Sequence, residues 1–188
     1  MKKKLSLEIL FNKAQIQKRI NEIGYSISKN FTTEIPILVC VLNGSFIFFA
    51  DLIRSLSIDC EIDFLKVSSY QGKKTTGKII LEKDISFNMN GKHVIIVEDI
   101  IDSGKTVDFL LKKFKKKNCR SISIVAMLKK SNKFNFQLIK EYIGFEIKQE
   151  FVVGFGLDYN QRFRNLKEIY ILEGGALHSS CGRADART

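Results

Sequence analysis

Three stretches in which almost every side chain is apolar constrain this chain more than anything else: residues 35–42 (IPILVCVL), 93–98 around VIIV, and 121–128 (SISIVAML). A strand with one face in water alternates apolar and polar residues, whereas a continuous apolar run belongs to a strand covered on both sides. Pro36 lies near the start of the first run, where its missing N–H does least harm to a ladder. Between the runs the period changes. In residues 8–30, Ile9, Leu10, Ile16, Ile20, Ile23 and Ile27 recur at mostly three- and four-residue steps, and predict an amphipathic helix. Residues 46–56 predict a second helix after the break at Asn43-Gly44-Ser45. A third starts near Gly104, with Val107, Leu110, Leu111 and Phe114 on one stripe. Shorter strands are expected at 60–68, 79–82, 147–153 and 169–172. The polar stretch 68–78 (SSYQGKKTTGK) reads as a mobile loop. Strands alternating with helices imply an α/β fold, a mainly parallel twisted sheet flanked by helices.

The 188 residues suit one domain with a small appended lobe, expected to span 1–173. The last 15 residues, 174–188, hold three of the six alanines and two of the seven arginines, but no lysine. That change of character reads as a disordered or vector-derived tail. No apolar run reaches the roughly 20 residues of a membrane helix, and Met1-Lys2-Lys3-Lys4 is not followed by a signal-like core, so a cytoplasmic protein with no membrane partner is expected. Cys40, Cys60, Cys119 and Cys181 form no CxxC pair, which disfavours a zinc site or a disulfide framework. With only His93 and His178, acid–base chemistry should rest on carboxylates or lysine. The net charge of +11 is spread along the chain, and its densest cluster, 112–117, reads as a solvated helix face. It therefore does not call for a nucleic-acid partner.

Chemistry concentrates in residues 94–106, VIIVEDIIDSGKT: a buried strand, three carboxylates within five residues, a Ser-Gly turn and a helix start. Such a junction aims backbone N–H groups at a phosphate, with Gly104 permitting close approach and Ser103 and Thr106 adding hydroxyls. Two familiar phosphate motifs do not fit. A Walker A loop needs glycine where Asp99 stands, and a dinucleotide fingerprint starting at Gly154-Phe155-Gly156 meets Tyr159 at its third glycine. Carboxylates beside a phosphate need a further purpose. Glu98 and Asp99 can accept hydrogen bonds from ribose hydroxyls, can hold Mg²⁺ against a diphosphate, or can simply end the strand and cap the helix.

The segment VEDIIDSGKT resembles the PRPP-binding signature of type I phosphoribosyltransferases, specifically the hypoxanthine-guanine phosphoribosyltransferase family, and the similarity runs over residues 37–172. The resemblance implies that family's fold, with a small hood lobe formed by the terminal segments. It implies purine salvage: the phosphoribosyl group of PRPP passes to N9 of hypoxanthine or guanine through an oxocarbenium-like transition state. Glu98 and Asp99 would hold the ribose hydroxyls, directly or through Mg²⁺, and the loop of Asp102, Ser103, Gly104, Lys105 and Thr106 would wrap the 5′-phosphate. Asp102 would also exchange a proton with N7. The family's diphosphate loop falls on Asn43 and Gly44, although Asn43 is neutral where relatives often carry a basic residue. Ser69 and Tyr70 fall in its flexible lid. Lys129 matches the lysine that donates to the purine O6, which adenine's amino group cannot accept. Phe151 would stack on the base, the Val152 backbone would read its edge, Asp158 would meet a second Mg²⁺, and Arg164 would contact pyrophosphate. The family implies a homodimer or homotetramer. Two other readings are a xanthine-preferring enzyme of the same fold and a phosphoribosyltransferase-like RNA-binding regulator, the latter supported by charge alone.

Overall fold

The computed structural model describes residues 5–69, 79–131 and 139–174. The order is β1 (Ser6–Phe11), α1 (Lys13–Asn30), β2 (Ile37–Leu42), α2 (Phe46–Ser55), β3 (Glu61–Ser69) and β4 (Ile79–Lys83). It continues through β5 (His93–Ile101), α3 (Lys105–Lys115), β6 (Ser121–Lys130), β7 (Lys140–Ile147), β8 (Val152–Val153) and β9 (Ile169–Glu173). Six strands form the main sheet in the order β4-β3-β2-β5-β6-β7. Every neighbouring pair is parallel except the β3–β4 hairpin.

The continuous apolar runs have the expected cause: each central strand feeds two cores. Leu38 and Cys40 of β2, Ile95 and Val97 of β5, and Val125 and Met127 of β6 pack with α1 and α2 on one face. Their neighbours Ile37, Val39 and Val41, Val94 and Ile96, and Ile124 and Ala126 pack with the α3 stripe Val107, Leu110, Leu111 and Phe114 on the other. Phe114 has no exposed surface, and burial of a side chain that size contributes roughly 2–3 kcal/mol.

Two predicted elements need correction. The helix expected over 8–30 begins only at Lys13. Before it, Ser6–Phe11 pairs antiparallel with β9, and Asn12 caps the helix. The Asn12 side chain accepts from Gln15 N, while Gln15 Oε1 accepts from Asn12 N, both at 2.9 Å. This capping box is worth about 1 kcal/mol and separates Ile9 and Leu10 from the helical periodicity they seemed to extend. The strand expected over 147–153 is instead the last residue of β7 and the short β8. Most of β7 (KEYIGFEI) was missed because its charges and Gly144 break the apolar signal. It is an edge strand in which Gly144 has no room for a side chain, since a Cβ would stand 2.3 Å from Met127 O. Arg19 of α1 covers its free side, donating to Gly144 O at 2.7 Å and Ile143 O at 2.8 Å.

β1, β9 and β8 form a separate three-stranded antiparallel sheet from segments near the two ends of the described chain. Phe11 stacks on Phe145 of β7, with centroids 3.9 Å apart, and Val152 and Ile169 join the α1–α2 core. Because five strands of the main sheet are parallel, their C-terminal ends share one edge. Asn43–Ser45, Ser69, Asp102–Gly104 and Lys130 all lie along that edge, where α/β sheets bind ligands. Residues 70–78 and 175–188, including Tyr70 of the expected lid and nearly all of the expected tail, lie outside the described residues. Among the described residues no helix is long and apolar enough to cross a membrane.

Candidate active site

β5 runs three residues past the apolar core seen in the sequence, because its ladder with β6 continues to Ile101 opposite Lys129. Glu98 and Asp99 therefore sit in extended strand and point to opposite faces. Their environments differ. Glu98 is only 3% exposed, whereas Asp99 is half-buried and accepts a hydrogen bond from Ile100 N at 2.8 Å. Asp102 follows at the strand end, Ser103 and Lys105 are exposed, and Gly104 precedes α3 with φ at 68°, a left-handed conformation that suits glycine. Gly104 O accepts from Asp108 N at 2.9 Å, which leaves the amides of the first helical turn without helical partners and available to an anion.

The turn after β2 closes on this junction. A Cβ on Gly44 would stand 1.5 Å from Asp99 Oδ2, so the Asp99 carboxylate lies against the backbone of the turn. The Leu42–Asn43 peptide is cis, and Asn43 is exposed. Ser45 turns inward: its hydroxyl donates to Val41 O at 2.6 Å and meets Cys40 Sγ at 3.2 Å. Burial pushes the Cys40 thiol up to about 12; the Ser45 contact opposes this, and the charges of Glu98 and then Asp99 add to it. Cys40 is thus a packed hydrophobe rather than a nucleophile.

Residues 151–164, which include β8, meet the turn after β2 through Gly156. Phe151 is half-buried, edge-on to Tyr159 with centroids 5.8 Å apart, and its carbonyl accepts from Leu172 N at 2.9 Å. Val152 is 1% exposed and pairs with Ile171 in the small sheet. Both oxygens of Asp158 are engaged. Oδ1 pairs with Arg164 Nη2 at 2.8 Å, and Oδ2 accepts from Gln161 N at 2.8 Å. Arg164 Nη1 also donates to Gly156 O at 2.8 Å, and Nη2 to Gln161 Oε1 at 3.0 Å.

The structure separates the two lysines at the end of β6. Lys129 does not reach Asp102; its ammonium pairs with Glu141 of β7, both side chains being largely covered. The next residue, Lys130, turns to the other side of the strand and places Nζ 3.2 Å from Asp102 Oδ1, with only 7% of its side chain exposed. Neighbouring strand residues face opposite ways, so a one-residue shift in reading the doublet exchanges the lysine paired with Glu141 for the one paired with Asp102. A lysine at the end of an apolar strand was the available signal, and two adjacent lysines made it ambiguous. Three contacts tie these segments together: Asp99 lies against Gly44, Lys130 pairs with Asp102, and Gly156, held by Arg164, abuts Gly44. For Ser69 only the strand position is described, at the end of β3.

As a metal site, the junction offers hard carboxylate oxygens, and the described residues contain no cluster of three or more His, Cys, Asp or Glu able to hold an ion. That donor set suits Mg²⁺, which takes one or two carboxylates and completes its shell with water and substrate phosphate.

Residues 6–160 match the family described as the phosphoribosyl transferase domain. The hypoxanthine-guanine phosphoribosyltransferase of Bacillus subtilis is 36% identical over 174 residues, covering 92% of this chain and 96% of that protein. The hypoxanthine-guanine-xanthine phosphoribosyltransferase of Tritrichomonas foetus is 34% identical, over 88% of this chain and 91% of that one. In three dimensions, the crystal structure of a Bacillus anthracis hypoxanthine-guanine phosphoribosyltransferase superposes with a TM-score of 0.82 at 38% identity, covering 90% of this chain and 100% of that one.

Proposed function

This chain belongs to the hypoxanthine-guanine phosphoribosyltransferase family, a family of purine-salvage transferases, and from that premise we propose how its own residues carry out the transfer. The observation that carries the proposal is the pairing of Asp102 with Lys130 at the phosphate-binding turn. Hypoxanthine or guanine lies against Phe151, with Lys130 donating to O6 and Asp102 facing N7. The amides of the 103–106 turn hold the 5′-phosphate, Asp99 meets the ribose hydroxyls, and the Asn43-Gly44 backbone faces the diphosphate. As the C1′–oxygen bond to diphosphate breaks, N9 bonds to C1′ and the N7 proton passes to Asp102. The products are IMP or GMP and pyrophosphate. Mg²⁺, held by Asp99 with Glu98 behind it, would neutralise charge on the leaving diphosphate. Holding base and sugar phosphate in line supplies the rest, and no covalent nucleophile is required. The enzyme is expected to work in the cytoplasm and, as the resemblance implies, as a homodimer or homotetramer.

The test is to incubate the purified protein with PRPP, Mg²⁺ and hypoxanthine, guanine, xanthine or adenine in turn, and to resolve the nucleotides formed. IMP and GMP are expected, with formation abolished by EDTA and restored by excess Mg²⁺. Failure to form nucleotide from either base would end the proposal. The Tritrichomonas foetus relative, whose name includes xanthine, is the reason for including that base.

A further inference from the structure

Gly156 belongs to none of the binding elements considered above, yet it is the point where two of them touch. Residues 154–157 form a tight turn closed by Gly154 N to Leu157 O and Leu157 N to Gly154 O, each 3.0 Å. Within it, Gly154, Phe155 and Gly156 all have positive φ, at 95°, 51° and 99°. The conformation drives Gly156 against the turn after β2: a Cβ there would stand 2.1 Å from Gly44 O and 3.8 Å from the Ile47 Cβ. Gly44 in turn lies against the Asp99 carboxylate. Gly156 cannot retreat, because Arg164 holds both of its backbone polar groups. Gly156 N donates to Arg164 O at 3.0 Å, and Arg164 Nη1 donates to Gly156 O at 2.8 Å. The other arm of the same guanidinium holds Asp158 at 2.8 Å.

We propose that Gly156 is a positioning residue for the diphosphate turn, clamped by Arg164 so that the base platform and the Gly44 backbone hold one fixed spacing. The inference rests on the reading of this site as a phosphoribosyltransferase centre. Contacts run unbroken from Asp158 through Arg164, Gly156 and Gly44 to Asp99, from the base side to the ribose side. Arg164 therefore acts on the base platform as well as facing the diphosphate, since a planar guanidinium can serve Gly156 O and Asp158 together and a lysine ammonium cannot span both in the same way.

The test is Gly156→Ala. The added methyl must gain roughly 1 Å from Gly44 O to reach an ordinary contact, and a displacement of that size at a reacting centre costs on the order of a hundredfold. Initial rates with PRPP varied at saturating hypoxanthine should show kcat/KM for PRPP down about a hundredfold, largely through KM. KM does not depend on how much of the protein is folded, so a purely structural role would lower the melting temperature and leave KM alone. Arg164→Lys is the second variant, and it decides the matter if Gly156→Ala does not fold. It should raise KM for hypoxanthine as well as for PRPP, whereas an arginine serving only the diphosphate would affect PRPP alone. A wild-type protein forming no nucleotide overturns the underlying assignment. An active wild type with an unchanged PRPP KM in Gly156→Ala, or an unchanged hypoxanthine KM in Arg164→Lys, overturns this inference while leaving that assignment standing.

Discussion

Replacing Lys130 with methionine should separate the two lysines of the doublet. Methionine keeps most of the apolar stem and removes only the charge, and at Lys130 that charge lies 3.2 Å from Asp102 with 7% of the lysine side chain and 27% of the aspartate exposed. A hydrogen bond to a charged partner in such a setting is worth about 1.5–3 kcal/mol. At 1.4 kcal/mol per factor of ten, its loss lowers kcat/KM for hypoxanthine by about ten- to a hundredfold. Adenine, which the Lys130 donor disfavours, should lose much less, so the preference for hypoxanthine over adenine narrows. Lys129→Met is the matched control. It leaves Glu141 without its ammonium on the opposite side of the strand, and should cost stability, about 1–3 kcal/mol, with KM for the base unchanged. Initial rates over a range of each purine at saturating PRPP, with thermal melts of both variants, measure every quantity involved. Loss of base selection in Lys129→Met, with Lys130→Met intact, would show that the lysines had been assigned the wrong way round.

Asp102→Asn removes the proton acceptor and should lower kcat by about 10² to 10⁴-fold with PRPP binding by calorimetry largely retained; unchanged turnover would remove Asp102 from the mechanism. Asp63 should shape acid stability. Burial alone would raise its carboxyl, but backbone donors from Ser86, Phe64 and Phe87, and the Lys83 ammonium, together outweigh this and hold it below its ordinary value of 3.8. A depressed folded pKa contributes stability that is complete above the unfolded value and is lost as pH falls through the folded one, so its contribution should fade below about pH 4. Asp63→Asn should flatten the stability curve in that range, and denaturant midpoints that fall in parallel for wild type and variant would contradict the assignment.

Much of this architecture was legible before any coordinates. The largely apolar runs at 35–42, 93–98 and 121–128 marked strands covered on both faces, because only burial on two sides makes such composition favourable. The VEDIIDSGKT segment marked the junction of β5 and α3, since strand, acidic residues, glycine and helix start are contiguous in the chain. Less was legible where short-range signals competed. Ile9 and Leu10 fit helical spacing yet pair in β1, because Asn12 and Gln15 cap the helix behind them and β9, distant in sequence, supplies a ladder. β7 carries too many charges to read as a strand, and exists because β6 offers it an edge.

Local chemistry, then, was written in the chain itself: which segments bury both faces, where a strand gives way to a helix start, and which carboxylate stands there. Contacts between segments far apart in sequence were not. That Lys130 rather than Lys129 meets Asp102 depends on which face of β6 turns toward β5's end, and a strand reverses its side chains at every residue. That Gly156 abuts Gly44, 112 residues away, depends on a glycine turn held in place by Arg164, and no periodicity along one segment encodes the distance to another.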